Sequence, residues 1–178
     1  EQAWQVFYPY SSKYDAYLAG EAELTPAEAR GLELFQAPDK GNCASCHFSE
    51  PGGDGSAPQF SDYGQIALGL PRNSEILANA DPAYHDLGLC GPLRTDFTDR
   101  AEYCGLFRTP TLRNVATRRT FFHNGIFHDL RDAVAFYATR DTDPARWFPT
   151  RADGSIDRFD DLPMRYWQNI NMDPPFGG

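Results

Sequence analysis

The sequence predicts a mainly α-helical fold with long loops. Three segments carry apolar residues at helical spacing, and no segment of useful length alternates apolar and polar residues as a strand does. The chain contains 15 glycines and 14 prolines, which interrupt regular elements and favour ordered loops between short helices. A length of 178 residues fits one domain, or one domain with an arm.

Residues 1–20 are predicted to form an N-terminal arm or linker that precedes a domain of residues 21–178. The arm is rich in aromatic residues from Trp4 to Tyr10. A short helix is predicted to follow, and Gly20 is placed to end it, because glycine readily adopts the left-handed conformation that closes a helix.

A second helix is predicted to begin at Pro26. Thr25 is a typical N-cap residue, proline is favoured at the first helical position, and Glu28 lies three residues after the cap. Leu32 and Phe35 then continue one apolar face. The three signals together predict both the start of this helix and the side that it buries.

A short cysteine and histidine motif follows this helix. Residues 43–47 read C-A-S-C-H, in which Cys43, Cys46 and His47 have the spacing of a c-type haem attachment site. The two thiols form thioether bonds to the haem and the histidine binds the iron. A zinc site would need two more ligands at matching spacing, and Cys90 and Cys104 are too far apart to supply them. A thioredoxin-like dithiol would need a βαβ context, which is not evident. The motif predicts one covalent haem c in a cytochrome-c-like fold.

The two remaining cysteines are predicted to form a disulfide. Cys90 and Cys104 lie in a loop-like stretch, and each is followed by glycine, which allows the backbone to turn. A disulfide that closes a loop of about 15 residues contributes roughly 3 kcal/mol in the chain-entropy model. Two free thiols are the alternative.

Composition restricts the partners and the compartment. A net charge of −9 argues against nucleic acid as a partner. No apolar run approaches the about 18–20 residues of a membrane-spanning helix, so no membrane span is expected. No signal peptide is recognisable. Because c-type haem is attached outside the cytoplasm in bacteria, we expect a periplasmic protein whose leader peptide has been removed.

Spacing alone leaves the second axial ligand of the haem iron open. Tyr137 lies on a predicted helical stripe that includes Leu130, Ala133 and Val134. Met164 lies in a last helix that Pro163 is predicted to start, with Trp167 and Ile170 on the same side. Methionine is the common partner in small cytochromes, whereas tyrosinate favours oxidised iron. These two residues rank level, and the remaining candidates are His85, His123, His128 and Met172.

Several segments, in order, resemble the second, electron-transferring haem domain of bacterial di-haem cytochrome c peroxidases and MauG-like proteins. They are T-P-A-E-A-R-G at 25–31, the haem motif, R-T-P-T-L-R-N at 108–114, F-H-N-G at 122–125 and A-V-A-F-Y at 133–137. In the peroxidases a methionine at the end of the last segment binds the iron, and in MauG a tyrosine does so. The resemblance therefore favours Tyr137 over Met164 as the distal ligand.

The resemblance also implies a function. A six-coordinate His/Tyr haem is expected to relay or store oxidising equivalents beside a second, peroxide-reactive haem. Because the chain has a single haem motif, that haem belongs to a missing domain or to another redox protein. The alternatives are a stand-alone mono-haem peroxidase and a simple His/Met electron-transfer cytochrome c.

Further residues carry smaller expectations. Arg108 and Arg113 either pair with the haem propionates or form surface salt bridges. His123 either forms a hydrogen bond near the haem edge or fixes its turn. The family also binds calcium, partly through backbone carbonyls, and the matching segment here is Arg118 to Thr120. Two arginines there disfavour a cation, so calcium is a weaker expectation.

Overall fold

The computed structural model describes residues 10–176 and contains short helices joined by long loops. Within that range the α-helices are α1 (Lys13–Leu18), α2 (Pro26–Gln36) and α3 (Leu130–Thr139), and the strands are β1 (Gln65–Ile66) and β2 (Phe107–Arg108). Turns of 3₁₀ helix occupy Cys43–Ser45, Leu77–Ala80, Ala101–Tyr103, Val115–Thr117, Pro144–Arg146 and Met164–Asn169. The two strands pair antiparallel. The mainly α-helical fold with long loops is thereby confirmed.

Two capping boxes start the first two helices. At α1 the side chain of Ser12 accepts from the backbone N–H of Asp15, whose carboxylate accepts from the N–H of Ser12. At α2 the side chains of Thr25 and Glu28 make the same reciprocal pair, and Pro26 is the first helical residue. Each box satisfies backbone donors that a helix start leaves unpaired. The predicted start of α2 is observed.

Contacts divide the chain into two compact units. The first unit comprises the described part of Glu1–Asp62 together with Pro110–Arg113, and the second comprises Tyr63–Thr109 with the described part of Asn114–Gly178. Helices α1 and α2 belong to the first unit, and α3 to the second. Trp4 and the rest of residues 1–9 of the predicted arm lie outside the described residues. The predicted domain boundary at residue 20 stays a prediction.

A backbone ladder explains why residues 110–113 belong to the first unit. The N–H of Asp62 donates to the carbonyl of Cys46 at 2.7 Å, and the N–H of Phe60 donates to the carbonyl of Phe48 at 3.1 Å. On the other side, the N–H of Leu112 donates to the carbonyl of Phe60 at 3.3 Å. Residues 58–62 therefore connect the haem-motif segment to residues 110–113.

The second unit has an aromatic core around α3. Phe136 is completely buried and contacts the rings of Phe127, Phe148 and Trp147 at 5.3–6.3 Å. Val134, which the predicted stripe placed on the buried side, is 61 % exposed. The stripe was therefore wrong at this position. The buried core consists of Leu70, Phe136, Phe148, Phe159, Leu162, Ile170 and Phe176.

The predicted disulfide between Cys90 and Cys104 is confirmed. The Cα atoms are 4.7 Å apart, and both residues are buried, at 6 % and 0 % exposure. Gly88, two residues before Cys90, forms β-bridges to Cys104 and Leu106, so backbone pairing brings the two cysteine-bearing segments together.

The last predicted helix is a 3₁₀ helix, Met164–Asn169. Ile170 is buried as expected, but Met164 is 64 % exposed and does not share its side of the chain. The following residues pack onto the unit, since the N–H of Asn171 donates to the carbonyl of Ala67 and Phe176 is 4 % exposed. In residues 10–176 no helix is long and apolar enough to span a membrane.

Candidate haem-attachment site

The C-A-S-C-H motif forms a tight turn that follows α2 in the chain. Asn42 adopts the left-handed conformation, with φ of 46°, immediately before the 3₁₀ turn Cys43–Ser45. The N–H of His47 then donates to the carbonyl of Cys43 at 2.8 Å. Both thiols of the motif, on Cys43 and Cys46, are free of a disulfide. A helical turn between these residues is compatible with two thioether bonds and an axial histidine on one group.

The backbone of Gly41, just before this turn, lies very close to the backbone of Leu34 in α2. Its N–H donates to the carbonyl of Leu34 at 3.1 Å. A Cβ atom at this position would lie 2.4 Å from the Leu34 oxygen and 3.4 Å from the sulfur of Cys43. Only glycine fits so close a backbone approach. Burial also raises the pKa of the Cys43 thiol, because it disfavours the thiolate.

The surroundings of His47 favour the protonation state of a metal ligand. Its Nδ1 lies 2.8 Å from the carbonyl oxygen of Phe60, so that Nδ1–H donates and the lone pair of Nε2 is the one that can bind a metal. Burial lowers the pKa of the imidazole, opposed in part by the carbonyls of Phe60 and Pro110 and by the carboxylate of Asp62. The neutral form, which binds metals, is therefore favoured.

Apolar side chains of the first unit are left largely uncovered by protein. Neither α1 nor α2 buries any residue fully, although Phe35 packs edge-on against Phe60 with ring centroids 6.3 Å apart. Leu34 is 38 % exposed and Phe48, the residue after His47, is 52 % exposed. These two side chains, near the motif in the chain, offer apolar surface that a bound group could cover. The residues present fit a covalently held, apolar group such as haem.

Arg113 lies in a buried ion pair, which the sequence did not suggest. Its two terminal nitrogens donate to the carboxylate of Asp15 at 2.9 and 2.8 Å, and its Nε donates to the carbonyl of Pro58 at 2.8 Å. The two side chains are 7 % and 10 % exposed. The carboxylate accepts these bonds in its ionised form, which holds the pKa of Asp15 at about 2. This pair attaches α1 to residues 110–113.

Arg108 is placed differently from Arg113. It ends β2 at an exposed position, and its guanidinium lies 4.7 Å from the centre of the Tyr63 ring in a cation–π contact. Its predicted pairing with a propionate stays a prediction, as does that of Arg113.

Tyr137 lies on α3 in the second unit, half-buried between aromatic rings. Its ring centroid is 5.5 Å from that of Phe122 and 5.1 Å from that of Phe176, with the latter pair stacked at 27°. The helix that carries it begins at Leu130, after the N-cap Asp129, whose side chain accepts from the N–H of Arg131. The predicted ligand role of Tyr137 stays a prediction.

His123 is held by its neighbours within the second unit. Its Nε2 lies 3.1 Å from the carboxylate of Asp161, and its ring stacks on Phe107 at 3.4 Å and 5°. Asn124, the next residue, donates to the same carboxylate at 3.0 Å and to the carbonyl of Pro71 at 2.9 Å. These contacts tie the F-H-N-G turn to two other loops.

The other candidate ligands lie apart from the motif turn in sequence and have local contacts. The Nδ1 of His85 is 3.1 Å from the carbonyl of Asp161, and that of His128 is 3.2 Å from the carbonyl of Arg119. Met172 is 52 % exposed. Across the described range, no cluster of three or more His, Cys, Asp or Glu side chains is arranged to hold a metal ion.

Sequence reasoning missed Arg140 and Phe176. Arg140 directly follows α3 and is 0 % exposed, with Phe176 stacked on its guanidinium at 3.6 Å. An arginine at the end of a helix usually interacts with the helix dipole at the surface, so its burial had no local signal.

Comparison with known proteins places these features in a family. No family model matches the chain. MauG of Paracoccus denitrificans is 38 % identical over 138 residues, which cover 76 % of this chain and 34 % of that protein. Cytochrome c551 peroxidase of Pseudomonas aeruginosa is 30 % identical over 125 residues, covering 70 % of this chain and 31 % of that protein.

The solved structures agree with these relatives. The diheme peroxidase BthA from Burkholderia thailandensis superposes with a TM-score of 0.81 at 45 % identity, covering 98 % of this chain and 42 % of that one. A MauG-like protein associated with microbial copper homeostasis superposes with a TM-score of 0.56 at 26 % identity, covering 88 % and 45 %.

The fold and the motif thus define a domain of a c-type haem protein family. The chain belongs to the family of MauG and the di-haem cytochrome c peroxidases. It spans about a third of the length of the curated relatives that it matches, since 34 % of MauG is covered.

Proposed function

We propose that this chain is a c-type haem domain of a MauG-like or di-haem-peroxidase-like oxidoreductase, which relays or stores oxidising equivalents. The observation that carries the proposal is the motif turn, where two unpaired thiols precede an imidazole whose Nδ1 is bonded to the Phe60 carbonyl. Cys43 and Cys46 would attach one haem and His47 would be its proximal ligand. Such a haem supplies a one-electron redox centre.

Tyr137 is proposed as the second axial ligand. Its support is the A-V-A-F-Y segment, which resembles the segment that carries the tyrosine ligand in MauG, and the two aromatic rings that hold its own ring. Met164 remains the runner-up, and its 64 % exposure favours a surface role for the thioether. A tyrosinate ligand favours oxidised iron, which suits a centre that stores oxidising equivalents.

The arginines and His123 are proposed to have distinct tasks. Arg108 is proposed as the better partner for a haem propionate, because it is exposed and a guanidinium forms charge-assisted hydrogen bonds with carboxylates. The donors of Arg113 are already bonded to Asp15 and Pro58, so we assign it to holding the motif unit together. His123 is assigned to fixing its turn through Asp161.

A second redox centre is proposed on another domain or polypeptide. The relatives and BthA are more than twice as long as the matched part, and BthA is described as a diheme enzyme. Peroxide would react at that other centre, and this domain would exchange electrons with it. We also propose a periplasmic location, as covalent haem attachment requires in bacteria. Calcium at the backbone carbonyls of Arg118 to Thr120 is the weaker proposal, because two arginines there disfavour a cation.

Replacement of the tyrosine tests the ligand assignment. Tyr137→Phe removes the phenol oxygen, so the ferric absorption and electron paramagnetic resonance spectra are expected to change from six-coordinate to five-coordinate iron. Tyr166→Phe is the control, because Tyr166 is a half-buried tyrosine of the same unit packed on the same core. An unchanged spectrum in Tyr137→Phe would refute the assignment, and Met164→Leu would then test the runner-up. Rapid peroxide turnover by the isolated chain would instead favour a stand-alone peroxidase.

A further inference from the structure

We propose that residues 171–176, here called the C-terminal tail, act with Arg140 as a clamp that positions Tyr137 for ligation. The inference rests on the proposed function, in which Tyr137 binds the iron. It assigns a role in the redox site to a segment that follows the last helix and contains none of the haem-motif residues. The clamp consists of the ring of Phe176, the buried guanidinium of Arg140 and the backbone of residues 171–176.

The direct contact is made by Phe176. Its ring stacks on Tyr137 with centroids 5.1 Å apart and also lies 6.4 Å from the ring of Phe136. Phe176 is only 4 % exposed, so the tail is packed into the unit at this point. Stacked aromatic pairs gain stability beyond their buried area. The ring of Phe176 therefore restricts the orientations that the phenol of Tyr137 can adopt.

Arg140 fixes the tail that carries this ring. Its guanidinium lies 3.6 Å from the centre of Phe176 and donates to the carbonyl of Asn171 at 3.0 Å. It also donates to the carbonyl of Leu68 at 2.7 Å and to the carboxylate of Asp141 at 2.6 Å. The side chain is completely buried, and a buried cation persists only where such partners are in place. Arg140 thus joins both ends of the tail to the end of α3.

A second ring contact on Tyr137 comes from Phe122, whose ring lies 5.5 Å away. Phe122 is itself packed against Phe127 and Phe136, at 5.5 and 5.6 Å. Two ring contacts from separate segments therefore hold the side chain from which the ligand atom projects. A ligand held in its binding orientation loses less conformational entropy when it binds, which strengthens the bond to the metal.

Ordinary core packing is separable from this positioning role. Phe148 is as buried as Phe176, at 4 % exposure, and belongs to the same core. Its ring contacts are with Phe136 and Phe159, whereas Phe176 contacts Tyr137. The same substitution at the two positions removes similar core packing, but only one of the two changes removes the ring stacked on Tyr137.

Cyanide titration of the ferric, haem-loaded chain measures how strongly Tyr137 occupies the sixth position of the iron. Cyanide competes with the tyrosine for the sixth position, so its apparent affinity rises as the tyrosine-free fraction rises. Loss of one stacked ring in Phe176→Leu is expected to tighten cyanide binding roughly two- to tenfold. Phe148→Leu is expected to leave it within about twofold, and Phe176→Tyr, which keeps the ring, should restore wild-type affinity. Arg140→Lys, which loses the planar stack on Phe176, should shift affinity in the same direction as Phe176→Leu.

The outcomes separate the clamp from the ligand assignment. If Tyr137→Phe tightens cyanide binding but Phe176→Leu and Arg140→Lys behave like Phe148→Leu, the clamp is refuted and the ligand assignment stands. If Tyr137→Phe changes neither the spectrum nor cyanide affinity, both are refuted. Should Phe176→Leu fail to yield folded haem protein, Arg140→Lys and Phe176→Tyr decide the matter, because a clamp requires the first to tighten cyanide binding and the second not to.

Discussion

Replacement of Asp15 by asparagine is expected to destabilise the protein and to change its response to acid. The carboxylate of Asp15 accepts hydrogen bonds from both terminal nitrogens of Arg113. The side chain of Asp15 is only 10 % exposed and that of Arg113 only 7 %. In Asp15→Asn the guanidinium stays buried beside a neutral amide that can accept only part of these bonds. Loss of one partner from a buried pair costs more than loss of a surface pair.

The shifted pKa of Asp15 sets the size of this effect. The pairing holds the pKa at about 2, against an ordinary value of about 3.9. Since each pKa unit corresponds to about 1.4 kcal/mol, the ceiling at neutral pH is roughly 2.5 kcal/mol. The amide oxygen keeps one hydrogen bond, so we expect a loss of about 1–2 kcal/mol, or roughly 3–6 °C in Tm for a domain of this size.

The direction in which stability changes with pH follows from the lowered pKa of Asp15. The stabilisation is complete above the unfolded pKa, near 4, and is lost as the pH falls through the folded pKa, about 2. The wild-type protein should therefore lose stability between pH 5 and pH 2 through this group, whereas Asp15→Asn should not. The difference in the free energy of unfolding between the two proteins should shrink across that interval.

Denaturant unfolding followed by circular dichroism at neutral pH and at steps down to acid pH measures both effects. Asp54→Asn is the control, because Asp54 is an exposed carboxylate of the same unit that also accepts a backbone N–H, from Ser56. Equal stability of Asp15→Asn and the wild type at every pH would refute the reasoning. It would mean that the guanidinium of Arg113 is balanced by an anion other than Asp15.

Two further changes test the second unit. Replacing both Cys90 and Cys104 by serine should lower the free energy of unfolding by roughly 3 kcal/mol, and a reductant should lower that of the wild type but not of the variant. Burial raises the pKa of Asp160 to about 6, so the free energy of unfolding falls as the pH rises from the unfolded pKa, near 4, and the full loss is present above about pH 6. Asp160→Asn should gain on the order of 1 kcal/mol at pH 7, after allowance for partial exposure, and the gain should vanish below about pH 4. Denaturant unfolding at pH 7 and pH 4 checks this, and a gain that persists at pH 4 would contradict it.

Local chemistry in the sequence was enough to predict the features that depend on neighbouring residues. The start of α2 was predictable because Thr25 and Glu28 satisfy each other's backbone groups within four residues. The Cys90–Cys104 disulfide was predictable because two cysteines remained and glycine follows each of them. The haem motif is likewise a feature of five consecutive residues, and the structure adds the Phe60 carbonyl that orients His47.

Features that depend on distant residues were not predictable. The Asp15–Arg113 pair joins residues 98 positions apart, and nothing near either residue indicates its partner. On α3, the pattern Ala133, Val134 and Tyr137 fitted a helical stripe, but the side that is buried is decided by the loops packed against it. Those loops bury Phe136 and leave Val134 exposed.

The burial of Phe176 was not predictable for a related reason. The burial of Phe176 depends on Arg140, which depends in turn on the carbonyls of Leu68 and Asn171. Such a chain of contacts exists only in the folded unit.

The intact mass of the chain, produced in a periplasm with c-type haem maturation, tests the central claim most directly. We predict the mass of the polypeptide plus one haem that survives denaturation, with a pyridine haemochrome spectrum of a bis-thioether haem. A variant with both Cys43 and Cys46 replaced by alanine should show the polypeptide mass alone. A wild-type chain that carries no covalent haem under these conditions would contradict the account.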